Sequence, residues 1–191
     1  MHSPTPSKVR PTALEFGHSL VACATLPAGL PARYDREAMA LKSTLLYQDG
    51  DLRTYLLVMD QGDEAFSEIT TFTKENDVNA ASLTAIGACT SATLGYFDPE
   101  KGDYVNRRFI EQMEIASCIG DIADDNGKPA LHAHLVLGRR DYSAIAGHLQ
   151  ETHVFPTMEV VLTETPAHLR KKLDKSTGLT LISPSDSIGA T

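Results

Sequence analysis

The sequence predicts an α+β domain built on a mostly antiparallel sheet with a few short helices, and three observations lead there. Past residue 80 the chain breaks into short runs rich in Val, Ile, Leu and Thr, the composition of strands. Two turn-forming clusters, Asp98-Pro99-Glu100-Lys101-Gly102-Asp103 and Asp124-Asp125-Asn126-Gly127-Lys128-Pro129, separate neighbouring runs at hairpin spacing. Ahead of them lies one stretch with a helical period, and helices grouped around hairpin-connected strands give α+β rather than alternating α/β.

In chain order, residues 1–50 read as an N-terminal extension. Pro4, Pro6, Pro11, Pro27 and Pro31 interrupt any period, and residues 35–46 are expected to form a short helix before the turn Asp49-Gly50-Asp51. Residues 54–59 form a β-branched, apolar strand. Asp63 is placed to cap a helix ending near Asn76, in which Phe66, Ile69 and Phe72 share one face. Strands are expected over residues 81–88, 92–97, 104–110, 113–123, 130–137 and 158–165, and further short helices over residues 142–149 and 167–173. The domain spans residues 51–183, and residues 184–191 form a tail.

Composition narrows the function. The chain has 191 residues and a formal charge of −8, whereas a duplex-binding surface needs clustered Lys or Arg at the phosphates. The run Arg170-Lys171-Lys172 is short and stands beside Asp174, which reads as a solvated helix face. Cys23, Cys89 and Cys118 form no C-x-x-C pair, so they are expected as free thiols of a cytoplasmic protein. No apolar run approaches the roughly 20 residues of a membrane span, and Leu20 to Leu26 is stopped by Pro27.

The chemistry concentrates in Leu131-His132-Ala133-His134-Leu135. Side chains alternate along a strand, so His132 and His134 project together while their neighbours enter the core. Two such imidazoles either share a metal or are simply hydrated. His148 follows after an excursion long enough to fold back, and three neutral imidazoles suit Zn²⁺ or a similar ion with one position left open. Glu159 alternates with Met158, Val160 and Leu162. It either orients a ligand imidazole and serves as an acid or base, or is a solvated carboxylate. Arg139 and Arg140 either hold an anion near the histidines or pair at the surface.

The succession Leu83-Thr84-Ala85-Ile86-Gly87-Ala88, Leu94-Gly95-Tyr96-Phe97-Asp98, Gly120-Asp121-Ile122-Ala123, Gly127 through Gly138, Gly147-His148-Leu149 and Phe155 through Leu162 resembles the plants-and-prokaryotes-conserved (PPC) domain across residues 54–182. The resemblance implies an α+β homotrimer, usually described as DNA-binding. In some prokaryotic relatives a metal sits on histidines matching His132, His134 and His148. It also implies kinship of fold with acetolactate decarboxylase, whose zinc site uses an H-x-H strand pair and a later histidine. The plant members' Arg-Gly-Arg-Pro hook is missing here. Two functions compete: a DNA-binding or transcription-associated homotrimer with a zinc-type site, or a metal-dependent enzyme of lyase or hydrolase type acting on a small carbonyl or carboxylate ligand.

Overall fold

The computed structural model describes residues 41–187. Its elements in chain order are β1 (Lys42–Asp49), β2 (Leu52–Asp60), α1 (Ala65–Glu75), β3 (Ala80–Asp98), β4 (Asp103–Asp124), β5 (Pro129–Gly138), β6 (Ala144–Glu164), β7 (Lys171–Leu173) and β8 (Thr180–Ile182). Among the described residues α1 is the single helix.

Every pairing in the main sheet is antiparallel, in the order β1-β2-β6-β3-β4-β5. β6 is long enough to serve three neighbours. Its first residues pair with β5, from His134↔His148 to Gly138↔Ala144, and its remainder pairs with β3 and β2. β3, β4, β5 and the start of β6 therefore close on one another. Such curvature needs local breaks in register, and they lie between Ala85 and Gly87, Cys89 and Ser91, and Ile115 and Ser117.

Both predicted turn clusters make hairpins. At the second, Asp125 and Lys128 exchange backbone hydrogen bonds around Asn126 (φ 55) and Gly127 (φ 83), the two positive-φ positions of a type I′ turn. Alternate strand residues enter one core with the apolar face of α1: Leu57 and Met59 of β2, Leu83 of β3, Met113 and Ile115 of β4, Ala133, Leu135 and Leu137 of β5, Met158, Val160 and Leu162 of β6, with Ile69 and Phe72 of the helix. Glu64 rather than Asp63 caps α1, its carboxylate accepting from the amides of Phe66 and Ser67. Asp63 is buried and accepts from the amide of Asp60.

Three expected helices are corrected. Of residues 142–149, Tyr142 and Ser143 lie in the turn before β6 and residues 144–149 belong to β6, because β5 offers them a ladder. Gly147 sits where a Cβ would meet Gly95 O and Leu94 Cβ at 3.0 Å, a close approach that a strand uses and a helix does not. Residues 167–173 hold a bridge at Arg170 and the strand β7, paired with β8. The helix over residues 35–46 lies partly outside the described residues. From Lys42 onwards the chain is β1, whose Thr44, Leu45 and Tyr47 pair with β2 through the turn at Gly50. The expected runs 81–88 and 92–97 are one strand, as are 104–110 and 113–123, because bulges rather than turns separate them.

Candidate metal centre

His132 and His134 stand on the outer face of β5 because Ala133 and Leu135, between and beyond them, are 2% and 0% exposed in the core. His148 arrives without the expected helical excursion. A tight turn, in which Arg139 N donates to Ser143 O and Tyr142 N to Arg139 O, reverses the chain and sets His148 directly opposite His134 in the β5–β6 ladder. Ring centroids lie 5.3 Å apart for His132–His134, 5.1 Å for His132–His148 and 5.5 Å for His134–His148. One nitrogen from each ring falls within 4.8 Å of the others. Tetrahedral ligands at zinc distances stand about 3.3 Å apart, so modest ring rotations close the set.

The surroundings fit an ion. His148 Nδ1 is buried without a hydrogen-bond partner, an unmet polar need of the kind that a metal or a bridging water satisfies. Burial first, then the neighbouring His132 and His134 and the charge of Lys171, lower the His148 pKa to about 4. Burial and His132 also hold His134 below its ordinary value. Both rings thus stay neutral, the form that coordinates. Tyr104 leans on His148 with its ring centroid 4.6 Å away, which restrains that imidazole.

A residue that the sequence did not single out completes the arrangement. Asp121 of β4 pairs with His132 across the ladder, and its Oδ2 lies 3.2 Å from His132 Nδ1. A carboxylate there selects the Nδ1–H tautomer and leaves Nε2 for an ion. His132 and His134 border an open cavity of about 450 Å³ lined also by Ser82, Thr84 and Ile119.

The other candidates are placed elsewhere. Glu159 is exposed on β6 and lines a separate cavity with Ile86, Glu114 and Thr157. Arg139 donates to Glu111 Oε1 through Nε at 3.0 Å and lies over Phe109. Arg140 is exposed in the β5–β6 turn. The structure brings none of the three into the histidine cluster.

Comparison with known proteins gives the arrangement a context. Residues 47–166 match the model of the Plants and Prokaryotes Conserved (PCC) domain. A solved metal-containing protein from Archaeoglobus fulgidus is 34% identical, with 73% of this chain and 98% of that one covered at a TM-score of 0.64. A plant- and prokaryote-conserved protein from Pyrococcus horikoshii is 31% identical over 72% and 97% of the two chains, at 0.65. A protein from Bacteroides thetaiotaomicron, described as a putative DNA-binding protein, is 28% identical over 76% and 98%, at 0.69. Among curated proteins there is no match.

Proposed function

The chain belongs to the Plants and Prokaryotes Conserved family, and from that premise we propose that it is a homotrimeric, cytoplasmic module centred on one divalent metal ion held by His132, His134 and His148. The observation that carries this reading is the convergence of three imidazoles from two adjacent strands, one of them oriented by Asp121. Zinc is the ion that such a set suits, with a fourth position left open. The related Archaeoglobus fulgidus protein, described as metal-containing, supports it.

Assembly is supported by the outer sheet face. Leu56, Val161, Thr84, Ile119 and His134 are consecutive ladder partners across β2, β6, β3, β4 and β5. Val161 and Ile119 in that row are 41% and 58% exposed, and Ile86 nearby is 61% exposed. An exposed apolar row on a sheet is the kind of surface that symmetric copies cover, and in such an assembly the histidines would lie near a subunit boundary. The free thiols of Cys89 and Cys118, both buried, suit the cytoplasm.

The relatives described as putative DNA-binding proteins support DNA as a partner. With a charge of −8 and no Arg-Gly-Arg-Pro hook, contact with duplex DNA would be weak and strongly salt-dependent. The cavity beside His134 favours a second reading, a metal-dependent enzyme of lyase or hydrolase type. There the ion would supply Lewis acidity to a carbonyl or carboxylate oxygen of a small ligand. Metal analysis of the purified protein and of His132→Ala, run with sedimentation analysis, tests the proposal. One ion per chain in the parent, none in the variant and a trimer mass are expected; stoichiometric metal in His132→Ala rejects the site.

A further inference from the structure

The family match ends at residue 166, and the chain is described through residue 187. This C-terminal segment is fastened to the end of β4. The Asp124 amide donates to Leu169 O at 2.7 Å, and a parallel bridge joins Asp124 to Arg170. The β7–β8 hairpin then returns, with Ser183 N donating to Arg170 O at 2.8 Å and Arg170 N to Ser187 Oγ at 2.9 Å.

Next to this anchor, two successive lysines part company. Lys172 is 68% exposed and pairs with Asp186. Lys171 turns inwards, its side chain 8% exposed, with Nζ 3.5 Å from Ala130 O and 3.8 Å from Asp121 Oδ1. An ammonium withdrawn from water needs a nearby negative charge, and the carboxylate at hand is Asp121, whose other oxygen faces His132. Asp121 Oδ1 is itself buried without a hydrogen bond, so Lys171 is the charge that faces it.

The consequence is orientational. The terminal torsion of an aspartate is soft and roughly two-fold, so a carboxylate held at one oxygen can still rock. With the imidazole on Oδ2 and the ammonium facing Oδ1, Asp121 is held at both ends, and the His132 ring follows it.

We infer that Lys171, delivered by the C-terminal segment anchored at Asp124, is a positioning residue of the metal centre: it fixes Asp121, which holds His132 as the Nδ1–H tautomer with Nε2 presented to the ion. This rests on the metal-centre reading above. Lys171 also acts on the ion as a like charge, which opposes its positioning effect. Losing an outer partner of a ligating histidine typically weakens a metal 10- to 100-fold, so the lower end of that range is the expectation here.

The test uses full-length Lys171→Met, Lys171→Arg and Lys172→Met, with cobalt(II) as the probe. Chelator competition reads affinity, the visible d–d bands read ligand geometry, and nitrogen-15 histidine spectra of the metal-free protein read the His132 tautomer. Lys171→Met is expected to bind cobalt about 10-fold more weakly, with shifted bands and a mixed His132 tautomer. Lys171→Arg should restore the parental values, and Lys172→Met should keep them. A Lys171→Met protein with parental affinity, bands and tautomer overturns the inference, as does one that binds cobalt more tightly. Should the parent bind no cobalt, the metal-centre reading fails, and the tautomer alone decides the role of Lys171. Lys171→Gln serves in the same way if the methionine variant does not fold.

Discussion

Substituting Gly120 with alanine puts the geometry under direct strain, because this residue faces the histidine strand. A Cβ built there meets His132 O at 2.4 Å, Ala133 Cβ at 2.8 Å and Ala133 Cα at 2.9 Å. Two of the three obstacles are β5 backbone, so no rotamer change relieves them. Either β5 retreats by roughly an ångström or the overlap persists, and overpacking of this kind costs about 3 kcal/mol. In a chain of this length each kcal/mol moves Tm by about 2–4 °C, which predicts a loss of about 6–12 °C. Because β5 carries His132 and His134 while β6 carries His148, the same retreat should weaken metal binding at least about 10-fold. Gly127→Ala is the internal control. Its Cβ meets nothing within 4 Å, and only the φ of +83° opposes it. A loss of about 1–2 kcal/mol with parental metal affinity is expected there. Calorimetry and cobalt titration of the two proteins decide the matter. A Gly120→Ala protein melting within about 2 °C of the parent, with unchanged affinity, would refute the close approach.

Other outcomes follow from the same structure. In the metal-free protein His148 titrates at about 4, against an ordinary 6.5, because burial disfavours its charged form. Between those pH values the unfolded chain binds the extra proton, so stability falls as pH drops from 6.5 towards 4, by about 2 kcal/mol after allowance for screening. His148→Asn should flatten that slope in urea titrations; an identical slope in the variant assigns the acid sensitivity elsewhere. Arg53 pairs through its Nε and Nη2 with Glu164, which is 10% exposed, so Arg53→Met should cost about 3 kcal/mol and Arg53→Met with Glu164→Leu should recover most of it. Equal losses in the single and double variants count against a buried pair. Burial raises the Cys89 thiol to about 11 and that of Cys118 to about 12. In a Cys23→Ser background, no thiol should react with a disulfide reagent at neutral pH until denaturant is added; a rapid reaction in the native protein contradicts their burial.

Much of this was legible in the chain. The three-residue recurrence of Phe66, Ile69 and Phe72 marked α1, and the Asn126-Gly127 pair marked the β4–β5 hairpin. Alternation through Ala133 marked the outward face of His132 and His134. The start of β6 fits a helical period as well as a strand, because around Ile145 the run Ala144, Ala146 and Leu149 adds no further β-branching and is too short to separate the two. What makes it a strand is β5, a partner that local sequence does not display. Asp121 escaped notice for a similar reason. It stands eleven residues from His132, and only counting outwards from the Asn126-Gly127 turn sets the two face to face. Glu159 had the right chemistry and the right alternation. Its register against Ile86 and Val58 sends it to another part of the sheet.

The pairing of His134 with His148 also bears on how the closed sheet avoids misassembly. Successive strand residues face opposite sides, so a slip of one residue between β5 and β6 would turn His148 inwards and bring Leu149 to the surface. The slipped sheet could still satisfy most of its backbone, since one ladder resembles the next. It could not gather the three imidazoles. An ion captured across the two strands would therefore reward a single alignment among near-equivalent ones, and the histidine cluster would act as a check on strand register.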